Sequence, residues 1–185
     1  MVSVDVGHGA AGRDSGVRHD TFTISRDIDA SPADVFAAFA DPAIRRLWFK
    51  LPGAGASYQH DFQVGGGETA RSTFTGPDAS PERLEYRSRY IDIAAPHRIV
   101  FAYEAVVDGV LRWTSLVTVQ LHGRPDKTHL DWTEQVALLA HTEDGGTDLA
   151  HLRGGTGLRL NGLDAALKPP SLRSQYLPGP TPPAR

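Results

Sequence analysis

The stretch from residue 147 to residue 168, TDLAHLRGGTGLRLNGLDAALK, decides the fold of this chain. Its large side chains recur at spacings of three and four residues, which predicts one buried stripe along a long helix. The stripe consists of Leu149, Leu152, Thr156, Leu160, Leu163 and Leu167. The same stretch holds four glycines, Gly154, Gly155, Gly157 and Gly162. Because an interior glycine costs a helix about 0.5–1 kcal/mol relative to alanine, they predict a kink, a close packing partner or space left beside the helix.

The chain upstream of this helix starts with a strand and two short helices. Residues 21–29, TFTISRDID, alternate as a strand does. Two helix-start signals follow, Ser31-Pro32 and Asp41-Pro42. Serine and aspartate are favoured N-caps and proline fits the first helical position, so each signal predicts a short helix.

The region from residue 57 to residue 139 predicts about six further strands. Glycine-marked turns separate them, among them Gly65-Gly66-Gly67 and Asp108-Gly109. An Asp-Gly pair between two β-rich runs is a strong hairpin signal, which favours antiparallel pairing.

This order of elements predicts an α+β helix-grip fold. A curved seven-stranded antiparallel sheet would wrap around the long C-terminal helix, with two short helices after the first strand. Such a sheet rarely closes completely on its helix, and the gap is the default binding cavity of the fold.

The domain boundaries follow from composition. Residues 1–19 are rich in glycine, alanine and aspartate without a period and predict a disordered leader. Residues 20–168 form the helix-grip domain, and the proline-dense residues 169–185 predict a disordered tail.

Bulk composition excludes several classes of function. The chain of 185 residues has a formal net charge of −3 and no basic block, so nucleic acid is not an expected partner. With no cysteine, disulfides and thiolate chemistry are excluded. No apolar run approaches the roughly 18 residues of a membrane span, and the N-terminus lacks the pattern of a secretory signal, which predicts a cytoplasmic protein.

Several stretches together resemble the START-like (SRPBCC) superfamily, in its activator-of-heat-shock-protein-ATPase-homologue-like (AHSA1-type) branch. The opening strand and helix pair is similar over ISRDIDASPADVFAAFADPAIRRLWF, and the glycine-marked hairpin over DFQVGGGETARSTF. YIDIAAPHRIVFAYE, SLVTVQL and TEQ resemble consecutive strands of a bacterial subgroup, and RGGTGLRLNGLDAAL resembles the terminal helix. The resemblance implies a small-molecule carrier, a polyketide cyclase or aromatase, or a chaperone activator. Many relatives have tryptophan directly after the helix glycine where this chain has Thr156, which implies a roomier or differently shaped cavity.

Glu134 is the first candidate site residue. Leu130, Trp132 and Val136 alternate on the apolar face of the last strand, and Glu134 falls on the same face. A carboxylate there needs a partner, because unpaired burial costs several kcal/mol. Arg26 is the expected partner, since the resemblance places the first strand beside the last. The pair would be either a structural ion pair that closes the sheet, or a ligand anchor in which Glu134 also serves as a general acid or base.

His60 is the second candidate, because it shares a strand face with Tyr58 and Phe62 and histidine is the usual general base. The alternative is a hydrogen-bonded histidine of the core or rim. The histidines show no HxxxH or HExxH spacing, so neither a metal site nor a cofactor is expected. There is also no GxSxG motif for nucleophilic catalysis.

Aromatic side chains complete the predicted cavity wall, although core packing explains each of them equally well. The candidate catalytic residues are Glu134 and His60. The candidate ligand-binding residues are Arg26, Tyr58, His60, Tyr86, Tyr103, Trp113, Trp132, Glu134 and Thr156.

The leading functional hypothesis is binding of a small, largely apolar molecule, such as a polyketide or lipid, between the sheet and the C-terminal helix. An enzyme of the cyclase or aromatase type in the same cavity is the first alternative. An interaction module that activates a chaperone ATPase is the second, and it predicts a contiguous exposed apolar patch. A homodimer is compatible with the sequence, since symmetric dimers are the commonest oligomers.

Overall fold

The structure, a computed structural model, describes residues 16–76, 80–141 and 145–173. Most of the predicted leader and tail lies outside the described residues. The strands are β1 (Arg18–Ile28), β2 (Ala54–His60), β3 (Glu68–Phe74), β4 (Glu82–Ala94), β5 (Arg98–Val107), β6 (Val110–Arg124) and β7 (Lys127–Leu138). The helices are α1 (Pro32–Ala40), α2 (Pro42–Trp48), α3 (Gly146–Leu167) and α4 (Pro170–Arg173).

The strands form one curved antiparallel sheet in the order β1-β7-β6-β5-β4-β3-β2. Every neighbouring pair except β1 and β7 is consecutive in sequence, so the sheet is a meander that the first strand joins at one edge. Helices α1 and α2 follow the first strand and α3 follows the last, which confirms the predicted helix-grip architecture.

The start signals of the two short helices act as predicted. Ser31 Oγ accepts a hydrogen bond from the Asp34 backbone N–H at 3.1 Å, and Pro32 is the first residue of α1. Asp41 Oδ1 accepts a bond from the Ala43 N–H at 2.7 Å at the start of α2. Each cap satisfies a backbone donor that the helix itself leaves unpaired.

Some boundaries differ from the prediction. β1 begins at Arg18 rather than residue 21, because its pairing with β7 continues through polar residues as far as Leu138. β2 begins at Ala54 in a stretch predicted as a loop, and its register with β3 shifts between Ala54 and Ser57. The predicted tail starts with the four-residue helix α4.

The buried stripe of α3 contains Leu152, Thr156, Leu160 and Leu163, as predicted. A Cβ atom on Gly162 would lie 3.4 Å from Trp48 Cβ, so this glycine permits close packing of α3 on α2. Beside Gly154 and Gly155 an added Cβ would meet no atom within 4 Å. The glycines therefore have different surroundings, and close packing accounts for Gly162 alone among these three.

Candidate functional site

The inward orientation of Glu134 is confirmed. β7 pairs without a register shift with both neighbouring strands, so no bulge interrupts the alternation. Trp132, Glu134 and Val136 are all buried, and Glu134 is 0% exposed. A carboxylate therefore lies on the inner face of the sheet, where the sequence alternation predicted it.

Aromatic side chains supply the partners of this carboxylate. The Tyr103 hydroxyl donates to Glu134 Oε1, and Trp132 Nε1–H donates to Oε2 at 3.0 Å. Trp113 Nε1–H donates in turn to the Tyr103 hydroxyl at 3.1 Å. These four residues, named here the Glu134 cluster, join strands β5, β6 and β7 on the inner face of the sheet.

Tyr103 is a fixed hydrogen-bond donor in this cluster. Burial raises the pKa of Tyr103 well above its ordinary value, and the charge and hydrogen bond of Glu134 raise it further. The tyrosine therefore stays protonated near neutral pH, which preserves its hydrogen bond to the carboxylate.

The predicted pairing of Arg26 with Glu134 is wrong. Both residues face inward on neighbouring strands, but Arg26 lies opposite Leu130 while Glu134 lies opposite Phe22. Four residues along a strand correspond to about 13 Å, which is too far for an ion pair. Arg26 Nε donates instead to Asn161 Oδ1 of α3, at 3.2 Å.

A second buried carboxylate, Glu68 at the start of β3, organises the other side of the inner face. Arg45 of α2 contacts it in a bidentate manner, with Nε 2.7 Å from Oε1 and Nη2 2.8 Å from Oε2. The Tyr58 hydroxyl donates to Oε1, and His60 Nε2 lies 4.0 Å from the same oxygen. His60 Nε2 also lies within hydrogen-bonding distance of the Tyr90 hydroxyl, at 3.1 Å. These five residues are named here the Glu68 cluster.

Arg45 is enclosed by aromatic rings although it is charged. Its guanidinium carbon lies 4.1 Å from the ring centroid of Trp48, 4.4 Å from that of Phe49 and 5.5 Å from that of Phe39. Burial lowers the pKa of Arg45, but the charge and hydrogen bonds of Glu68 more than offset this, so the net shift is upward. The guanidinium is therefore held as a buried cation by one carboxylate and three rings.

The charges of the Glu68 cluster also shift the pKa values of Glu68 and His60. Burial raises the pKa of Glu68, but Arg45 and Tyr58 outweigh burial and hold it below the ordinary value. Burial lowers the pKa of His60; the Glu68 carboxylate opposes this shift and Arg45 adds to it. The histidine is consequently favoured in its neutral form. Its Nδ1 atom and Arg45 Nη1 are buried with no hydrogen-bond partner among the described residues.

Tyr86 lies between the two clusters. Its ring centroid is 5.0 Å from that of Tyr103 in the Glu134 cluster and 4.8 Å from that of Phe49, which borders Arg45 of the Glu68 cluster. Arg159 of α3 places its guanidinium carbon 5.2 Å from the Phe49 ring centroid, and its charge slightly opposes the upward pKa shifts of Tyr86 and Tyr103. Polar groups thus extend across the inner face, with a half-buried cation of α3 near their middle.

The structure distributes the predicted site residues over several places. Tyr103, Trp113, Trp132 and Glu134 form one hydrogen-bonded cluster, and Tyr58 and His60 belong to the other. Tyr86 connects the clusters, Thr156 is buried on α3 and Arg26 lies apart at the edge of the sheet. Their roles as binding or catalytic residues stay predictions.

Sequence reasoning missed Arg45, Glu68 and Arg159. Glu68 had a detectable signal, because Glu68, Ala70 and Ser72 alternate onto the buried face as the residues around Glu134 do. Arg45 had a weaker signal, its position three residues before Trp48 on a short helix whose buried side they share.

Three of the predicted residues line three different surface clefts. Arg26 lines a cleft of about 590 Å³ between α2, α3 and β1. Tyr58 lines another of about 380 Å³ beside Phe49, and His60 borders one of about 450 Å³ at the Gly65–Gly67 turn. These residues therefore do not surround one common cleft.

Neither a metal centre nor a membrane span is found in the described part of the chain. Within residues 16–76, 80–141 and 145–173 no group of three or more His, Asp or Glu side chains could hold a metal ion. Among the same residues, no helix is both long and apolar enough to cross a bilayer.

A seven-stranded antiparallel meander with a long C-terminal helix and polar groups on its inner face defines a START-like helix-grip domain. Residues 29–168 match the family model described as "Activator of Hsp90 ATPase homolog 1-like protein". The match spans most of the sequence, so the chain belongs to this family, as the sequence motifs predicted. No match was found among functionally curated proteins.

Solved structures show the same fold. The Mll3558 protein of Rhizobium loti is 36% identical, with 82% of this chain and 99% of that chain covered at a TM-score of 0.67. An uncharacterised protein of Rhizobium leguminosarum is 31% identical, with coverages of 82% and 96% and a TM-score of 0.66. CalU16 of Micromonospora echinospora shares 17% identity over 85% of this chain and 90% of its own, with a TM-score of 0.55, which indicates a shared fold.

Two histidines should give opposite pH dependences of stability. Burial lowers the pKa of His60, whereas the hydrogen bond to Asp27 is the main cause that raises the pKa of the exposed His129. The stabilising effect of neutral His60 is present above the unfolded-state pKa of about 6.5 and is lost as the pH falls. The stabilising effect of protonated His129 is present at low pH and is lost as the pH rises.

The measurement is urea unfolding of wild type, His60→Gln and His129→Gln between about pH 5.5 and 7.5. The stability difference between wild type and His60→Gln should grow with pH, and that between wild type and His129→Gln should shrink. Slopes of the same sign for both variants would contradict the assignment.

Proposed function

We propose that the protein binds a small, largely apolar molecule between the inner face of the sheet and α3, with the Glu134 cluster receiving the polar group of the ligand. Membership of the Activator of Hsp90 ATPase homolog 1-like family supports a ligand-binding or cyclase-like fold. The ligand and its position are the new element of the proposal.

The observation that carries the proposal is the surplus acceptor capacity of Glu134. The carboxylate is 0% exposed and has two donors, Tyr103 and Trp132. In the described part of the chain, no Lys, Arg or His nitrogen lies within 4.0 Å of it. An ionised carboxylate has about four acceptor positions, and burying its charge without full pairing is costly. A ligand hydroxyl donating to Glu134 would supply a further bond in this apolar surrounding.

Thr156 of α3 would give the ligand a second polar contact. It belongs to the inward stripe of α3, is 2% exposed, and its Oγ1 has no hydrogen-bond partner among the described residues. A helical threonine usually satisfies its hydroxyl on a carbonyl of the preceding turn, and Thr156 does not. An oxygen of the ligand would provide the partner, while the rings of Tyr86 and Trp132 would contact its apolar body.

Binding of 2-naphthol and naphthalene, measured by thermal shift and calorimetry, tests this proposal. 2-Naphthol should raise the melting temperature more than naphthalene, because its hydroxyl can donate to Glu134. Glu134→Gln should weaken 2-naphthol binding at least about tenfold, the scale of a lost hydrogen bond to a buried charge, and change naphthalene binding little.

The matched control is Glu104→Gln, which makes the same chemical change at a half-exposed residue of β5 that pairs with Arg87. It should bind both compounds as wild type does. Equal 2-naphthol affinity in the Glu134 and Glu104 variants, or no stabilisation of the wild type by either compound, would contradict the proposal.

The hydrogen bond between Tyr103 and Glu134 favours a cyclase-like or aromatase-like enzyme as the second candidate. A buried carboxylate beside a protonated tyrosine can accept a proton from a bound substrate, and the surrounding side chains would position that substrate. For an enzyme, Glu134→Gln should abolish turnover while binding persists; for a carrier, the same change weakens binding. The two candidates are thus separated by one variant.

The interaction module stays a prediction from the sequence, as do a homodimer and a cytoplasmic location. Val64, Ile91 and Leu158 are examples of exposed large apolar side chains, and they belong to a loop, to β4 and to α3.

A further inference from the structure

We infer that the cleft between α2, α3 and β1 is a separate binding site for a free amphipathic anion, a molecule with an apolar chain and one carboxylate or phosphate group. This site lies at the surface edge of the domain and does not depend on ligand binding at the Glu134 cluster.

The size and lining of the cleft suit such a molecule. Its volume of about 590 Å³ lies within the range of about 300–1,000 Å³ that is usual for small-molecule sites. Leu47 of α2 and Leu158 of α3 give it apolar walls, and Trp48 and Gly162 also line it. Leu158 is 72% exposed at the rim of the cleft. An apolar chain in the cleft would cover it.

Three cations line the same cleft, Arg26 from β1, Lys50 after α2 and Arg159 from α3. In the described part of the chain none of them has a carboxylate partner within 4.0 Å. Among the residues that the structure describes, Arg26 donates to neutral oxygens, to Asn161 Oδ1 at 3.2 Å and to the Ser25 carbonyl at 2.8 Å. The cations therefore retain donors for an external anion.

The acidic residues of the cleft do not neutralise these cations, because each has another partner. Asp27 Oδ1 lies 2.8 Å from His129 Nδ1, and Asp164 Oδ2 lies 3.1 Å from Lys168 Nζ. The remaining field in the cleft is positive, which attracts an anion. A guanidinium fork fits carboxylate and phosphate oxygens alike, so both head groups share the required chemistry.

A free molecule is favoured over a membrane surface as the occupant. The cleft is bounded by α2, α3 and β1 and offers one strongly exposed leucine rather than an extended apolar face. Membrane-surface binding uses a broad apolar face together with many basic residues, whereas a bounded cleft holds one chain and one head group.

The test is calorimetric titration of the full chain with octanoate, octyl phosphate, 1-octanol and inorganic phosphate at low salt. Octanoate or octyl phosphate should bind at least tenfold more tightly than both 1-octanol and inorganic phosphate, and added salt should weaken the binding. The double variant Arg26→Gln/Lys50→Gln should lose at least tenfold in affinity for the bound amphiphile. The control Arg83→Gln/Lys127→Gln, which removes two exposed cations outside the cleft, should retain it.

Thr156→Leu separates this site from the proposed interior site, because it changes the inward face of α3 and not the cleft. Octanoate binding that survives Thr156→Leu and is lost in the Arg26/Lys50 variant supports the cleft, whatever the outcome with 2-naphthol. The inference is overturned if neither amphiphile binds, if 1-octanol binds equally well, or if the Arg26/Lys50 variant binds as wild type. Binding to phosphatidylglycerol vesicles but not to free octanoate or octyl phosphate would overturn it as well.

Discussion

Replacing Glu68 with alanine is expected to lower the free energy of unfolding by about 3–5 kcal/mol, the usual result of breaking a buried ion pair from one side. Arg45 is 1% exposed, and its bidentate contact with Glu68 is the only carboxylate contact within 4.0 Å that it makes in the described part of the chain. Without Glu68, a buried guanidinium would keep its charge among aromatic rings. Urea unfolding followed by tryptophan fluorescence measures the loss.

Two variants control this experiment. Glu85→Ala removes a partly exposed carboxylate that lies 2.8 Å from Arg71 and 3.8 Å from Arg87, and it should cost less than about 1 kcal/mol because both arginines are more than half exposed. The double variant Arg45→Met/Glu68→Met should recover much of the loss, because two apolar side chains leave no buried charge. A Glu68 variant that is no less stable than the Glu85 variant would show that the buried pair is not needed for stability.

Replacing Gly67 with alanine should destabilise the domain by at least about 2 kcal/mol, toward the upper part of the range for single substitutions. An added Cβ atom would lie 1.9 Å from the Ser88 carbonyl oxygen and 2.7 Å from its carbon. Both atoms belong to the backbone of β4, so no side-chain rotation can relieve the overlap. The necessary shift would also displace the adjacent Glu68, whose N–H donates to Ser88 Oγ at 2.9 Å.

Gly154→Ala is the matched control, since it adds the same methyl group where no atom lies within 4 Å. In the interior of α3 this change should stabilise the domain by up to about 1 kcal/mol through helix propensity. Thermal and urea unfolding of both variants gives the comparison. Equal effects of the two substitutions would contradict the packing of Gly67 against β4.

The fold could be predicted because its signals are local. Alternation within each strand, the two proline-marked helix starts and the spacing of leucines in α3 each depend on a few neighbouring residues. The predicted strand boundaries were wrong where pairing with a strand distant in sequence sets the end of the strand. β1 is longer than predicted because β7 continues beside its polar residues, which no pattern within β1 itself reveals.

The sequence predicts which face of the sheet Glu134 lies on, but it does not predict which residues contact it. The face on which Glu134 lies follows from alternation alone. The registers of β5 with β6 and of β6 with β7 bring Tyr103 to the carboxylate, and the register of β1 with β7 leaves Arg26 four positions away from it. The size of the space between sheet and helix is a sum of many side-chain volumes in three dimensions, and no single stretch of sequence contains it.

The position of β1 beside β7 has a consequence for how the chain acquires its structure. Thr23 and Thr133 touch through their hydroxyl groups although 110 residues separate them. During synthesis, β2 to β7 can pair one hairpin after another, but β1 has no neighbour until the last strand leaves the ribosome. Closing so long a loop has a large entropic cost before any contact offsets it, and such non-local pairing slows folding. The nascent domain therefore keeps its first strand unpaired for most of translation, with its apolar side chains available to other chains.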